Sequence, residues 1–207
     1  MLRNLLIIAI PCASLMADWA PATGQRIPAA PQVEVARVPF VQYLEKTKAE
    51  HLAQVREQAE SGDLEAQARL GVMYYWGEGA PVDWDQAKIW LRKASERGHA
   101  DAQAKLGAMF FLGQGGPRDL AESLKWFRAA AEQGEPYAEG CMGVMYAVGE
   151  GVPRDLLQAY VWLLQAQAGG DTDAAEPFQQ VKSHLSEEQI RLGNSLAAEA
   201  MKNREQH

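Results

Sequence analysis

Ala66-Gln-Ala-Arg-Leu70-Gly71-Val-Met-Tyr74-Tyr-Trp-Gly77-Glu-Gly-Ala-Pro81-Val-Asp83-Trp-Asp-Gln86-Ala87-Lys-Ile-Trp90-Leu-Arg-Lys-Ala94-Ser-Glu-Arg-Gly98 decides the fold, because its spacing returns 36 and 72 residues later. Trp90, Trp126 and Trp162 fall on that period, and the units 63–98, 99–134 and 135–170 superpose without an insertion or deletion. A unit of this length cannot bury its apolar face alone. It must stack on its neighbours, so the chain reads as a repeat solenoid.

Within each unit the recurring Ala66, Leu70 and Tyr74 lie four residues apart and form one helical stripe; their successors are Ala102, Leu106 and Phe110, then Ala138, Met142 and Tyr146. Gly77-Glu-Gly-Ala-Pro81 and its two successors then break the helix, since glycine admits positive φ and proline blocks continuation. Asp83, Asp119 and Asp155 open a second helix as N-caps, with Gln86, Glu122 or Gln158 three residues on in the pattern of a capping box. Ala87, Trp90 and Ala94 mark the apolar stripe of that helix, which Gly98, Gly134 and Gly170 stop. Gly71, Gly107 and Gly143 sit inside the first helix, where glycine is unfavourable, and close approach of the two helices accounts for them.

Ala-x3-Leu-Gly-x2-Tyr-x2-Gly-x-Gly-x-Pro-x-Asp-x3-Ala-x2-Trp-x3-Ala-x3-Gly resembles the Sel-one-like repeat, a relative of the tetratricopeptide repeat with a longer interhelix loop. The resemblance covers 63–170 and implies an all-α fold, a right-handed α/α superhelical solenoid used for protein recognition, frequently in bacterial envelope or signalling systems. Helical caps are expected at both ends.

Met1 to Ala17 read as a secretory signal, with Arg3, an apolar run from Leu5 to Ile10 and a cleavage site at Leu15-Met-Ala17. An uncleaved anchor is the alternative, but the run from Leu5 to Ala17 is shorter than the roughly 17–25 residues of a spanning helix. Lipoprotein processing at Cys12 is disfavoured by Pro11. Residues 18–39, with Pro21, Pro28, Pro31 and Pro39, read as a tether. Residues 40–62 then form a capping helix in which Val41, Leu44, Leu52, Val55 and Ala59 keep helical spacing, and Thr47 with Glu50 falls 36 residues before Asp83 and Gln86. Residues 171–207 supply two further capping helices, the second opened by a capping box at Ser186-Glu-Glu-Gln189. Phe178, Val181 and Leu185 are the inward residues expected of the first, and Ile190, Leu196, Ala200 and Met201 of the second.

The chain holds 20 basic and 27 acidic residues, a net of −7 that becomes −8 once Arg3 leaves with the signal. The charges are interspersed, which fits solvated helix faces and argues against a nucleic-acid partner. After cleavage Cys141 is the only cysteine, so no disulfide framework exists and stability comes from packing. Cys141 aligns with Arg69 and Lys105, which places it on a partly exposed side of the first helix.

Some cysteine-rich proteins of the resembled family are associated with β-lactam binding or hydrolysis. Here no serine has a lysine three residues later and the paired cysteines are missing. His51, His99, His184 and His207 lack a partner at metal-ligand spacing. Asp171, Asp173 and Glu176 read as helix N-terminal acids, not a calcium loop. No catalytic residue, cofactor or metal site is expected.

Trp90, Trp126, Trp162, Tyr74, Phe110 and Tyr146 are assigned to the core. Function is sought where the units differ. If first helices line the concave face, the inward positions are Glu65, Ala68, Val72, Tyr75 and Trp76, then Asp101, Ala104, Ala108, Phe111 and Leu112, then Tyr137, Gly140, Val144, Ala147 and Val148. The expected partner-binding residues are Val72, Tyr75, Trp76, Phe111, Leu112, Val144 and Val148, suited to a peptide or helix. Packing against the neighbouring repeat, or occupation of the groove by the tether, is the competing account of these side chains. The functional expectation is a periplasmic or secreted module without catalysis that binds a partner protein or peptide of the cell envelope, with no membrane span after cleavage. An envelope scaffold and a cell-wall or β-lactam enzyme are the alternatives.

Overall fold

A computed structural model describes residues 37–204 and 206. The expected signal over 1–17, the tether up to residue 36 and the side chains of Val41 and Leu44 lie outside the described residues. Among the described residues the chain forms nine helices and no strand: α1 (Arg37–Glu60), α2 (Leu64–Trp76), α3 (Trp84–Glu96), α4 (Ala100–Leu112), α5 (Leu120–Glu132), α6 (Pro136–Val148), α7 (Leu156–Ala168), α8 (Ala175–Lys182) and α9 (Glu187–Arg204). The six repeat helices are each 13 residues long and keep the 36-residue register at both ends. The chain is an all-α helical repeat solenoid.

Local chemistry sets these ends. Gly77, Gly113 and Gly149, with φ of 76°, 71° and 81°, close α2, α4 and α6 in the left-handed conformation. Asp83, Asp119 and Asp155 cap the second helices, accepting hydrogen bonds from the backbone N–H groups of Gln86, Glu122 and Gln158. In the middle repeat the reciprocal half of the expected capping box is replaced: Glu122 Oε2 accepts from Trp126 Nε1 at 3.0 Å. At Ser186 the box is complete, because Gln189 N–H donates to Ser186 Oγ and Ser186 N–H donates to Gln189 Oε1. Helix α1 starts at Arg37, three residues before the expected boundary; Pro39 fits because the N–H it lacks has no intrahelical partner in a first turn.

The glycines inside the first helices are explained by contact. A Cβ built on Gly143 would lie 2.5 Å from Leu163 Cγ and 3.1 Å from the Leu163 backbone nitrogen. Gly71 meets Leu91, and Gly107 meets Phe127, in the same way. Gly143→Ala should therefore destabilise the protein by about 1–3 kcal/mol, overpacking outweighing the better helix propensity of alanine. Urea unfolding checks this, and an unchanged or raised midpoint would show that α6 and α7 can separate freely.

The period runs past both ends of the three units. Gly79 approaches the carbonyl of Lys48 in α1 as Gly115 approaches that of Trp84 in α3, and Lys48 lies 36 residues before Trp84. Helix α1 thus stands where the second helix of a preceding unit would stand, burying Leu52, Val55 and Ala59 in the core of the first repeat, with Gln67 of α2 donating to the Ala59 carbonyl. Helix α8 is the first helix of a fourth unit: buried Ala174, Phe178 and Val181 follow Ala138, Met142 and Met145 by 36 residues. Gln179 occupies the place of Gly143, which removes the flat contact that a second helix needs. Helix α9 packs on α7 instead, and its own Gly193 lies so close to Tyr160 that a Cβ would fall 2.5 Å from the ring. Tyr160 donates to Asn194 Oδ1 at 2.9 Å. The α9 face is accordingly centred on Gly193 and Ala197, with the expected Ile190, Leu196, Ala200 and Met201 half-buried around it.

The core runs through Leu70, Leu91, Leu106, Met109, Phe127, Met142 and Leu163, all enclosed. Trp90, Trp126, Tyr74 and Phe110 join it, whereas Trp162 and Tyr146 are half-buried. On the side away from the second repeat, the third meets the short α8 and the displaced α9, so its outer residues are less covered than those of the middle repeat.

Candidate docking face

One side of each first helix is closed by its second helix and others by the neighbouring repeats; the remaining side is open. On α2 it carries Glu65, Arg69, Val72 and Trp76, on α4 Asp101, Lys105 and Leu112, with the expected Ala108 buried between them, and on α6 Tyr137, Cys141, Val144 and Val148. Spacings of four, three and four residues place each set on one stripe. Residues equivalent across the repeats make rows, and the last row is Trp76, Leu112 and Val148, with exposures of 61%, 46% and 39%.

Of the seven side chains that the sequence marks for partner binding, these three are exposed, while Val72, Tyr75, Phe111 and Val144 are half-buried. Tyr75 stands edge-on to Trp76 with ring centroids 4.8 Å apart. Phe111 is clamped by Arg118, whose guanidinium lies 4.6 Å above the ring and whose Nε donates to the Phe111 carbonyl at 2.7 Å. Arg118 is held in turn by Glu150. Ala68, Ala104 and Gly140, expected on the same surface, are buried, because these small residues sit at helix contacts. Arg69 and Lys105 were missed as members of the stripe, although their spacing from Val72 and Trp76, or from Ala108 and Leu112, places them there.

The charged half of the face is partly committed. Glu65 meets His99 Nε2 at 3.1 Å, and His99 also caps α4 by accepting from Ala102 N–H. Glu135, which caps α6, has its carboxyl raised above the usual range, mainly by burial. Cys141 is hydrogen-bonded to Tyr137, and burial pushes its thiol up to about 12, which leaves it protonated and unreactive at neutral pH. Burial likewise raises the Tyr137 hydroxyl. Asp171 accepts from Asp173 N–H at 3.0 Å and so orders the turn into α8. Among the described residues no group of three or more His, Cys, Asp or Glu side chains is arranged to hold a metal ion.

The outer face of α3 offers a weaker alternative. Ile89 is exposed there, but Asp85 and Glu96 alternate with Lys88, Arg92 and Lys93. These cations are occupied: Lys88 and Arg92 lie over Phe110, Lys93 lies over Trp90, and Lys88 Nζ donates to the Gly115 carbonyl.

Paired helices stacked at a fixed period with one open row of side chains define a tetratricopeptide-like repeat solenoid. The Sel1 repeat family model matches residues 64–99, 100–135 and 141–171, and the chain belongs to the Sel1-like repeat proteins. Similar solved structures include c5321, a protective antigen present in uropathogenic Escherichia coli strains and displaying an SLR fold. It is 29% identical with a TM-score of 0.68, over 79% of this chain and 37% of that one. A Sel1 repeat protein from Oxalobacter formigenes is 30% identical with a TM-score of 0.58, over 65% of this chain and 54% of its own. The chain therefore spans about a third to a half of the length of these relatives. No curated protein matches it. Sel1 repeats are generally protein-interaction modules and typically not catalytic. Among the described residues no helix is long and apolar enough to cross a membrane.

Proposed function

We propose that the protein is a docking module of the bacterial envelope, periplasmic or secreted, that binds a partner protein or peptide on the open face of its first helices and performs no chemistry of its own. The observation that carries this reading is the row Trp76, Leu112 and Val148: the same position in three successive repeats is apolar and exposed, so the cost of leaving it in water is repeated at one period. The leader-like run at residues 1–17 supports export. The protonated Cys141 thiol, and the absence of a serine and lysine at catalytic spacing, support a role without catalysis.

A photocrosslinker placed at Leu112 on the open face, and at Glu132 on the exposed side of α5, tests this in the native envelope. The expected result is one partner trapped from Leu112 and none from Glu132. Trp76→Ala should weaken that association by about 1 kcal/mol or more, as loss of an aromatic anchor does, while leaving the melting temperature nearly unchanged because the side chain is mostly in solvent. Equal trapping from both positions would move the docking site off this face.

A further inference from the structure

Resting on the reading that the open face docks a partner, we infer that its occupant is an amphipathic α-helix lying across the first helices, with acidic side chains on the flank that faces Arg69 and Lys105.

Width comes first. The strip from Arg69 to Trp76 spans seven residues of α2, about 10 Å along its axis, which is the width of one helix with its side chains. It holds the exposed row Trp76, Leu112 and Val148 and, behind it, the half-buried Val72 and Val144 on either side of the buried Ala108, and it is bounded by Arg69 and Lys105. The acidic row of Glu65 and Asp101 lies about 16 Å from Trp76, beyond the reach of a helix seated on the apolar rows. The basic row is therefore the charge that the occupant meets.

Spacing fits as well. Successive first helices, of which α2 and α4 touch directly, lie on the order of 10 Å apart, so Trp76, Leu112 and Val148 recur at about that interval across the face. Seven residues of an α-helix rise about 10.5 Å, so apolar side chains at i, i+7 and i+14 of the occupant meet the three in turn. A polyproline-type chain also repeats near this interval, about 9 Å every three residues. Hydrogen bonding decides between the two. An extended chain brings unpaired backbone N–H and C=O groups that must find partners, whereas a helix satisfies its own. Between the rows of Arg69 and Trp76 the strip carries no Asn, Gln, Ser or Thr; the Tyr75 hydroxyl beside Trp76 is the exception, and the Tyr137 hydroxyl, in the row beyond Arg69, is engaged with Cys141. The face receives side chains and, apart from the Tyr75 hydroxyl and the head groups of Arg69 and Lys105, offers a bare backbone no partners.

Charge sets the flank. Arg69 is exposed and makes no ion pair with another described residue, and Lys105, half-buried, occupies the same row one repeat on. The third member of the row is the neutral Cys141. Acidic residues are therefore wanted opposite repeats one and two only. The graded series of Trp, Leu and Val gives the seated helix a direction, its smallest apolar side chain meeting the bulky Trp76.

Three fluorescein-labelled 18-residue peptides and fluorescence anisotropy test this with the protein from residue 18 onward. One is an alanine-based helix with leucines at heptad spacing and glutamates on one flank; the second replaces the glutamates by lysines; the third has the composition of the first with prolines that forbid a helix. The expected result is saturable binding of the first, about three- to tenfold tighter than the second at low salt, with the gap closing as salt rises. The third should bind at least tenfold more weakly, and Arg69→Glu should invert the preference between the first two. Tighter binding of the proline peptide, lost in Trp76→Ala, would overturn the helical occupant yet leave the docking face intact. Binding indifferent to flank charge, or no binding of the helical peptide, would overturn the inference. The crosslinking result at Leu112 decides separately whether this face docks anything.

Discussion

Replacing Trp126 with alanine should lower the stability of the protein by about 3–5 kcal/mol, the range for truncating a large buried aromatic side chain. Trp126 is 7% exposed and shares a core cluster with Leu106, Met109 and Phe110 of its own repeat and with Met73 and Trp90 of the first. Its indole N–H is bound to Glu122, so truncation also removes a hydrogen bond across one turn of α5. At roughly 2–4 °C per kcal/mol for a domain of this size, the melting temperature should fall by about 10 °C. Each repeat of a solenoid leans only on its neighbours, and damage in the middle one weakens both seams, so the unfolding transition should broaden as well as shift. Trp76→Ala is the control, since Trp76 is 61% exposed. Thermal unfolding followed by circular dichroism separates the two. A Trp126→Ala midpoint within a degree or two of the parent would show that the tryptophan row is surface and that the core has been misplaced.

The fold was legible because a 36-residue period repeats its punctuation along with its apolar stripe. Gly77, Pro81, Asp83 and Gly98 each mark a boundary, and each recurs twice. The first-helix N-caps were hidden from this reading because Asp63, His99 and Glu135 differ in type, although each side chain accepts from the backbone N–H three residues on. The fourth unit was hidden for a different reason. Ala174, Phe178 and Val181 keep the apolar register, but Gln179 replaces the glycine that identifies a first helix, and the same replacement sends α9 to α7. Physics and pattern failed together there.

The candidate face was half legible. Trp76, Leu112 and Val148 could be found as large apolar residues at helix ends where the repeat requires none. Ala68, Ala104 and Gly140 were placed beside them because a first helix in a solenoid is covered on more than one side, so a small residue at a seam resembles a small residue on an open face. Arg69 and Lys105 were overlooked because charged residues on a helix are usually solvated and carry no packing signal. Only their place on one stripe with Val72 and Trp76, or with Ala108 and Leu112, gives them meaning.

Arg204→Ala should be the other severe change, at about 3–5 kcal/mol, because it strands a buried carboxylate. In the first two repeats an amide occupies the helix position next to the preceding turn: Gln67 Nε2 donates to the Ala59 carbonyl and Gln103 Nε2 to that of Ser95. Arg97 binds Gln67 at 3.0 Å, and Gln133 binds Gln103 at 2.6 Å. In the third repeat the amide position is Glu139, 1% exposed, and the position after Arg97 and Gln133 is Gly169, which has no side chain. Arg204 at the end of α9 supplies the missing group: it pairs with Glu139, donates to Gln165 Oε1 at 3.0 Å and reaches the Ala131 carbonyl. The last helix is thus keyed to this seam by charge. Burial raises the Glu139 carboxyl above its ordinary value and Arg204 draws it back down. A carboxyl raised in the native state binds its proton more tightly than in the unfolded chain, so its contribution to stability is kept below the unfolded value, about 4.3, and lost as pH rises through the native one. Without Arg204 the native value climbs further and the loss reaches further toward neutral pH. The stability gap between Arg204→Ala and the parent should therefore be widest near pH 7 and shrink as pH falls toward the ordinary carboxylate range. Glu139→Gln restores the amide used by the other repeats, so adding it to Arg204→Ala should recover much of the loss at neutral pH. Urea denaturation of the parent, both single variants and the double variant at acid and neutral pH checks this. A gap that does not change with pH, or a double variant no better than Arg204→Ala, would mean that α9 is held by its apolar contact with α7 and that the ion pair contributes little.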